Sequence, residues 1–151
     1  MSDNDRIEQT ITIAAPAARV WDLVTEPGWF INDGALAPNH LDRQGDLTMV
    51  HHDVHGVFAI RTVSLDPLRY AAFRWYLSPD RLDGGSTLVE FTIEDATPSG
   101  VTLTVVETGF ASLPEDAAAR RVRYEQHDSG WRSQFALARA ALETLDADVD
   151  R

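Results

Sequence analysis

Thr87-Leu88-Val89-Glu90-Phe91-Thr92-Ile93-Glu94 alternates apolar with polar side chains, and Val101-Thr102-Leu103-Thr104-Val105 repeats the alternation. Thr97-Pro98-Ser99-Gly100 lies between the two runs, so the stretch predicts two antiparallel strands joined by a turn. Past Pro114 the period changes. Trp131, Phe135, Ala138 and Leu142 fall on one face of a helix that should run to about Leu145. A curved sheet closed by one long C-terminal helix can enclose an apolar pocket, and the search for function is directed there.

Working outward, Arg6 to Ile13 reads as a strand with Ile7, Gln9, Ile11 and Ile13 on one face. Pro16 suits the first position of a helix whose apolar stripe is Ala17, Val20, Trp21 and Val24, and Pro27-Gly28 ends it. Trp29-Phe30-Ile31 is a short apolar turn or a second short helix, and Asn32 to Gln44 shows no period and reads as a loop. Leu47 to His51 and Gly56 to Leu65 are strands joined by a short hairpin connection, His52 to His55. The inward face of the second stays open, because Phe58 and Ile60 compete with Val57, Ala59 and Val63. Asp66-Pro67 breaks it. Tyr70 to Leu77 makes the next strand, with Ala71, Phe73, Trp75 and Leu77 on one face, and Ser78 to Ser86 is a loop. Asp146 to Arg151 is a polar tail expected to fray. The order is strand, two short helices, five or six strands in a meander, and a long helix: an α+β protein in a single domain, residues 1–151.

Composition narrows the function classes. The net charge of -11 argues against nucleic acid and against anionic membrane surfaces, both of which require clustered positive charge. No window approaches a membrane span, and Met1-Ser2-Asp3-Asn4-Asp5 has the wrong charge for a signal peptide, so a cytoplasmic protein is expected. With no Cys there is no disulfide, thiolate metal site or cysteine nucleophile. With no Lys, every basic side chain is Arg, which excludes Schiff-base chemistry on a side chain.

The polar candidates are few. In a continuous strand His51, Asp53 and His55 would share a face suited to a divalent metal, but the hairpin there splays them, and no metal or other cofactor is expected. His51, at a strand end near the cavity mouth, is a candidate for ligand binding or proton transfer. Glu107 continues the register of Val101, Leu103 and Val105 and so points inward, where a carboxylate has to be paired or hydrogen-bonded. Two readings stay open for it: a polar anchor or general base, or a structural acid bonded to backbone groups or an Arg. Trp29, Phe30, Phe73, Trp75, Phe91, Phe110, Trp131 and Phe135 either fill the interior or line a cavity, with Met49 as a flexible part of its wall. Arg120 to Arg123 and Tyr124 could grip a phosphate or carboxylate, but flanked by Glu115, Asp116, Glu125 and Asp128 they read rather as an exposed helix face of mixed charge.

Ile11-Thr12-Ile13-Ala14-Ala15-Pro16-Ala17-Ala18-Arg19-Val20-Trp21 resembles the opening of the START-related helix-grip superfamily, also called SRPBCC. Trp29-Phe30 after a Pro resembles its second short helix, and Asp66-Pro67 followed by Phe73-Arg74-Trp75 resembles its step between strands. Thr87 to Ile93, Val101 to Val105, Glu107-Thr108-Gly109-Phe110 and Gly130-Trp131 resemble the branch of activators of heat-shock protein 90 ATPase homologues. The resemblance spans Ile7 to Leu145 and implies a helix-grip fold, a curved antiparallel sheet around the C-terminal helix with a cavity between them.

That fold hosts carriers, cyclases, hydrolases and cochaperone domains, so it does not fix an activity. The leading expectation is a protein that binds an apolar or aromatic, lipid-like small molecule. Trp75, Phe91, Trp131 and Phe135 would be walls, Glu107 and His51 would orient a polar group, and Trp29-Phe30 with the following loop would form a gate. A cyclase or hydrolase using the same pocket, with Glu107 and His51 as catalytic candidates, and a cochaperone-like interaction module are the alternatives. Monomer and homodimer are equally compatible with the sequence.

Overall fold

The computed structural model describes residues 5–97 and 100–149. Seven strands form one antiparallel sheet: β1 (Arg6–Ile13), β2 (His40–Gln44), β3 (Leu47–His52), β4 (Gly56–Asp66), β5 (Tyr70–Tyr76), β6 (Ser86–Thr97) and β7 (Gly100–Thr108). Their spatial order is β1-β7-β6-β5-β4-β3-β2, a meander whose first strand closes onto its last. Helix α1 (Ala17–Val24) follows β1, and α2 (Ala117–Val149) crosses the concave face. This is the α+β helix-grip arrangement. Cross-strand pairs place Ile7, Glu107 and Val89 in one row and Ile13 and Val101 in another, so the inward faces of β1, β7 and β6 are in register.

Helix α2 is capped by Asp116, whose Oδ1 accepts the Ala119 amide at 2.8 Å. It runs beside β1 in the same sense: the Tyr124 hydroxyl donates to the Arg6 carbonyl, Gln9 donates to Asp128, and the Ala14 amide donates to Glu143. Trp131, Phe135, Ala138 and Leu142 are all buried, as their spacing predicts. The helix continues to Val149, past the expected end at Leu145, so the start of the expected polar tail is helical. Residues 98 and 99 of the β6–β7 turn, and residues 150 and 151 of the tail, lie outside the described residues.

Three expectations are corrected. Only one short helix follows β1, because residues 26–31 form successive turns with Trp29 N bonded to the Glu26 carbonyl and Ile31 N to the Gly28 carbonyl. Gly28 has φ +74, and a Cβ there would lie 2.8 Å from both γ-methyls of Val50, so the chain turns sharply against β3 where a helix would need to continue. Pro16 is the extended residue before α1 rather than its first helical position. The segment read as a loop from Asn32 to Gln44 contains β2, an exposed edge strand with Leu41 as its one half-buried apolar side chain, which leaves too little alternation to read.

The open question in β4 is settled by its partners. Ile60 pairs with Trp75 and lies in the core with Phe58 packed against it, while Val57 and Val63 are exposed and Ala59 is buried outside that cluster. A bulge between Thr62 and Ser64 shifts the register beyond that point, which is why one alternation could not fit the whole strand.

Candidate functional site

Glu107 has no solvent exposure. Its carboxylate accepts from the Thr87 hydroxyl at 2.6 Å and from Trp131 Nε1 at 2.8 Å. His127 Nδ1 lies 3.0 Å from Oε1 and 2.9 Å from Oε2. Since the carboxylate already accepts on both oxygens, the ring hydrogen sits on Nδ1 and points at it. Of the two readings open for Glu107, the structure realises neither in full: its partners are a hydroxyl, an indole and an imidazole, with no Arg or backbone bond among those of the described residues. Burial is tolerable because each oxygen has donors.

The rings assemble around this acid. Trp131 touches Trp29, Phe30, Phe91 and Phe135, and Phe73 packs on Phe91. Phe30 meets Trp75 at 4.8 Å. Trp75 stacks on His127 at 4.5 Å with 23° between planes, and Phe110 packs edge-on to the same imidazole. Thus Trp29, Phe30, Phe73, Trp75, Phe91, Glu107, Trp131 and Phe135 form one connected cluster, most of which fills the interior.

Two pockets among the described residues border the Trp75–His127 stack. The first, about 120 Å³, is bounded by Phe58, Trp75, Thr87, Leu113, Arg123 and His127 among others. The second, about 100 Å³, is bounded by Phe30, Trp75, His127, Gly130, Trp131 and Gln134 among others. Phe73, Phe91 and Phe135 border neither. A third, more open groove of about 240 Å³ runs beside Trp29, Leu36 and Pro38.

The Trp29-Phe30 part of the expected gate is held in place. Trp29 is 2% exposed and Phe30 is buried. Asn39 donates to the Gly28 and Ile31 carbonyls, and Asn32 exchanges hydrogen bonds with Gln134 of α2.

Met49 and His51 are elsewhere. Val50 faces the core, so its neighbours Met49 and His51 lie on the opposite face of β3, where His51 is exposed and packs on His40. The expectation of His51 at the cavity mouth is thereby corrected; the odd-even alternation of β3 puts it on the outside. In the β3–β4 turn, His52 Nδ1 accepts the amides of Val54 and His55, and His55 Nε2 meets the Asn32 carbonyl. Among the described residues no group of acids and imidazoles has metal-holding geometry.

The Arg run is only partly an exposed face. Arg121 is exposed, but Arg120 caps the Leu113 and Glu115 carbonyls, and Arg123 forks onto Glu115 at 3.0 and 2.6 Å. The hydrogen bonds from Arg123 hold Glu115 below the ordinary carboxylate value against an opposing push from burial.

His127 and Thr87 are the polar residues that the sequence did not single out for the site, whereas Arg123 belongs to the run weighed there as an oxyanion grip. A signal existed for His127. It lies four residues before Trp131, on the same inward stripe as Phe135.

A model of the family described as "Activator of Hsp90 ATPase homolog 1-like protein" matches residues 14–143. No curated protein matches the chain at a significant level. Among solved structures, protein MLL2253 from Mesorhizobium loti is 21% identical, with a TM-score of 0.66 over 92% of this chain and 97% of that one. DynU16, a putative protein in the dynemicin biosynthetic locus, is 23% identical, with a TM-score of 0.66 over 93% of this chain and 48% of that one. The Aha1 dimer from Colwellia psychrerythraea is 16% identical, with a TM-score of 0.62 over 91% and 96%. At these identities the likeness is one of fold.

Proposed function

For a chain that belongs to the Activator of Hsp90 ATPase homolog 1-like family, we propose binding of a small, ring-sized, largely apolar molecule with one polar group, held beside the Trp75–His127 stack. Volume sets the size. An apolar cavity of roughly 150 Å³ takes a benzene, whereas drug-sized ligands need roughly 300 Å³ or more. Pockets of about 120 and 100 Å³ therefore favour a single ring over the lipid-like molecule expected from the sequence. Trp75 offers a face for stacking and His127 a polar partner in either pocket, and Arg123 adds a second polar partner in the first alone.

The observation that carries this reading is Gly130. It sits inside α2, where glycine costs about 1 kcal/mol relative to alanine. No left-handed φ and no close neighbour requires it, since a Cβ there would meet nothing within 4 Å. What the missing side chain does is leave the second pocket open.

The test uses phenol and indole as probes. Saturable quenching of tryptophan fluorescence and a saturating rise in melting temperature are expected with wild type. Gly130→Leu should weaken both responses at least tenfold. The absence of saturable binding by either probe, with a native mass identical to the denatured mass, would sink the reading.

A further inference from the structure

Building on that binding reading, we infer that the pocket bounded by His127 and Arg123 is a proton-abstraction site for small neutral aromatic ketones, with His127 as the catalytic base and Glu107 as its positioning residue. Glu107 is fully enclosed and cannot touch a substrate. It can act only through a partner; Thr87 and Trp131 also border the pockets, but His127 is the partner with a basic nitrogen to present there. The imidazole is held on three sides. Glu107 fixes Nδ1, Trp75 covers one face of the ring, and Phe110 packs edge-on to it. Nε2 makes no hydrogen bond among those of the described residues and is not among the enclosed unpartnered atoms. It is therefore a lone pair of fixed direction, with the hydrogen-bonded carboxylate behind Nδ1 holding the ring in that orientation.

The second element is Arg123, one helical turn before His127 on the wall of the same pocket. Glu115 occupies its Nε and Nη2, which leaves Nη1 outside that pair to donate to an oxygen of the ligand. The chemistry balances without any further reactant. Nε2 takes the proton from the carbon next to the carbonyl, and the C–H pair becomes the C=C bond of an enolate. The carbonyl π pair moves to oxygen, where Arg123 meets it. Reversal with a solvent-derived proton returns the ketone. A neutral substrate is specified because, with Nε2 unprotonated, the carboxylates of Glu107 and Glu115 outnumber Arg123, so the site holds no net positive charge to attract an anion.

The probe is phenylacetone in D₂O, with loss of its CH₂ signal followed by proton NMR. Wild type should exchange at least about 10²-fold faster than an equal concentration of free imidazole. His127→Asn retains a donor to Glu107 and should fall to the free-solution rate, as should His127→Ala if it folds. Glu107→Gln should keep KM within about threefold and lower kcat at least tenfold. Exchange no faster than imidazole, full activity in His127→Asn, or an unchanged kcat in Glu107→Gln would each overturn the inference. Phenol or indole binding without exchange overturns the base alone and leaves the binding reading standing. Loss of binding as well overturns both.

Discussion

His127 Nδ1 lies 2.9 Å from Oε2 of Glu107, and these two side chains join α2 to the inward face of β7. The contact ties the helix to the sheet at the one fully buried charged residue among those described. It is also where polar chemistry reaches the pockets.

Removing the charge at that point should be costly. Glu107→Gln replaces one accepting oxygen with an amide that only donates, so the cluster loses the charge and an acceptor for Thr87, Trp131 or His127. A loss of about 2–3 kcal/mol is expected, since hydrogen bonds to a buried charged group are being given up. Urea unfolding followed by circular dichroism measures it; a loss under 0.5 kcal/mol, on the order of a surface change, would show that the carboxylate is not what orders the cluster.

The two buried indoles provide an internal control. Trp131 Nε1 donates to Glu107, whereas Trp29 Nε1 is buried with no partner among the described residues. Trp131→Phe and Trp29→Phe delete the same volume, but only the first takes a donor from the acid, and the second removes an unsatisfied N–H. Trp131→Phe should therefore be less stable than Trp29→Phe by about 2 kcal/mol or more. Equal denaturation midpoints would contradict the assignment of these bonds.

Two left-handed backbone positions should respond in opposite directions. Leu68 follows Pro67 in the β4–β5 turn at φ +71, a conformation that suits glycine and strains a leucine. Leu68→Gly is expected to gain about 0.5–1 kcal/mol after the added freedom of the unfolded chain is counted. Gly28→Ala should lose at least about 2 kcal/mol, because its new methyl meets Val50 as well as the φ penalty. Thermal unfolding of the two variants checks both signs.

Alkaline unfolding should involve Tyr70. Burial, reinforced by its hydrogen bond to Glu90 and the charge on that acid, pushes Tyr70 up to about 12. The folded protein thus holds this proton more tightly than the unfolded chain. Its contribution to stability is complete below pH 10 and disappears as the pH rises through 12. Absorbance titration should show one of the three tyrosines ionising last, and Tyr70→Phe should flatten the stability curve over that window. A variant with an unchanged alkaline limb would refute the coupling.

The architecture was legible because it rests on local periods. Alternation in β6 and β7 and the four-residue stripe from Trp131 to Leu142 each express backbone geometry within one element. Where the local signal fails, so does the reading: β2 is an exposed edge with one apolar anchor, and Trp29-Phe30-Ile31 is apolar enough for a helix until Gly28 meets Val50. The same limit separates the parts of the site. The sequence alone turned Glu107 inward, since parity along β7 decides it, and brought the aromatic residues to one core. Only the tertiary structure decided what answers that acid, since His127 and Trp131 are 20 and 24 residues away, and Thr87 reaches it across a strand pair. It likewise put Met49 and His51 outside and left space at Gly130, because partners and empty volume follow from how the helix docks on the sheet, which no single period encodes.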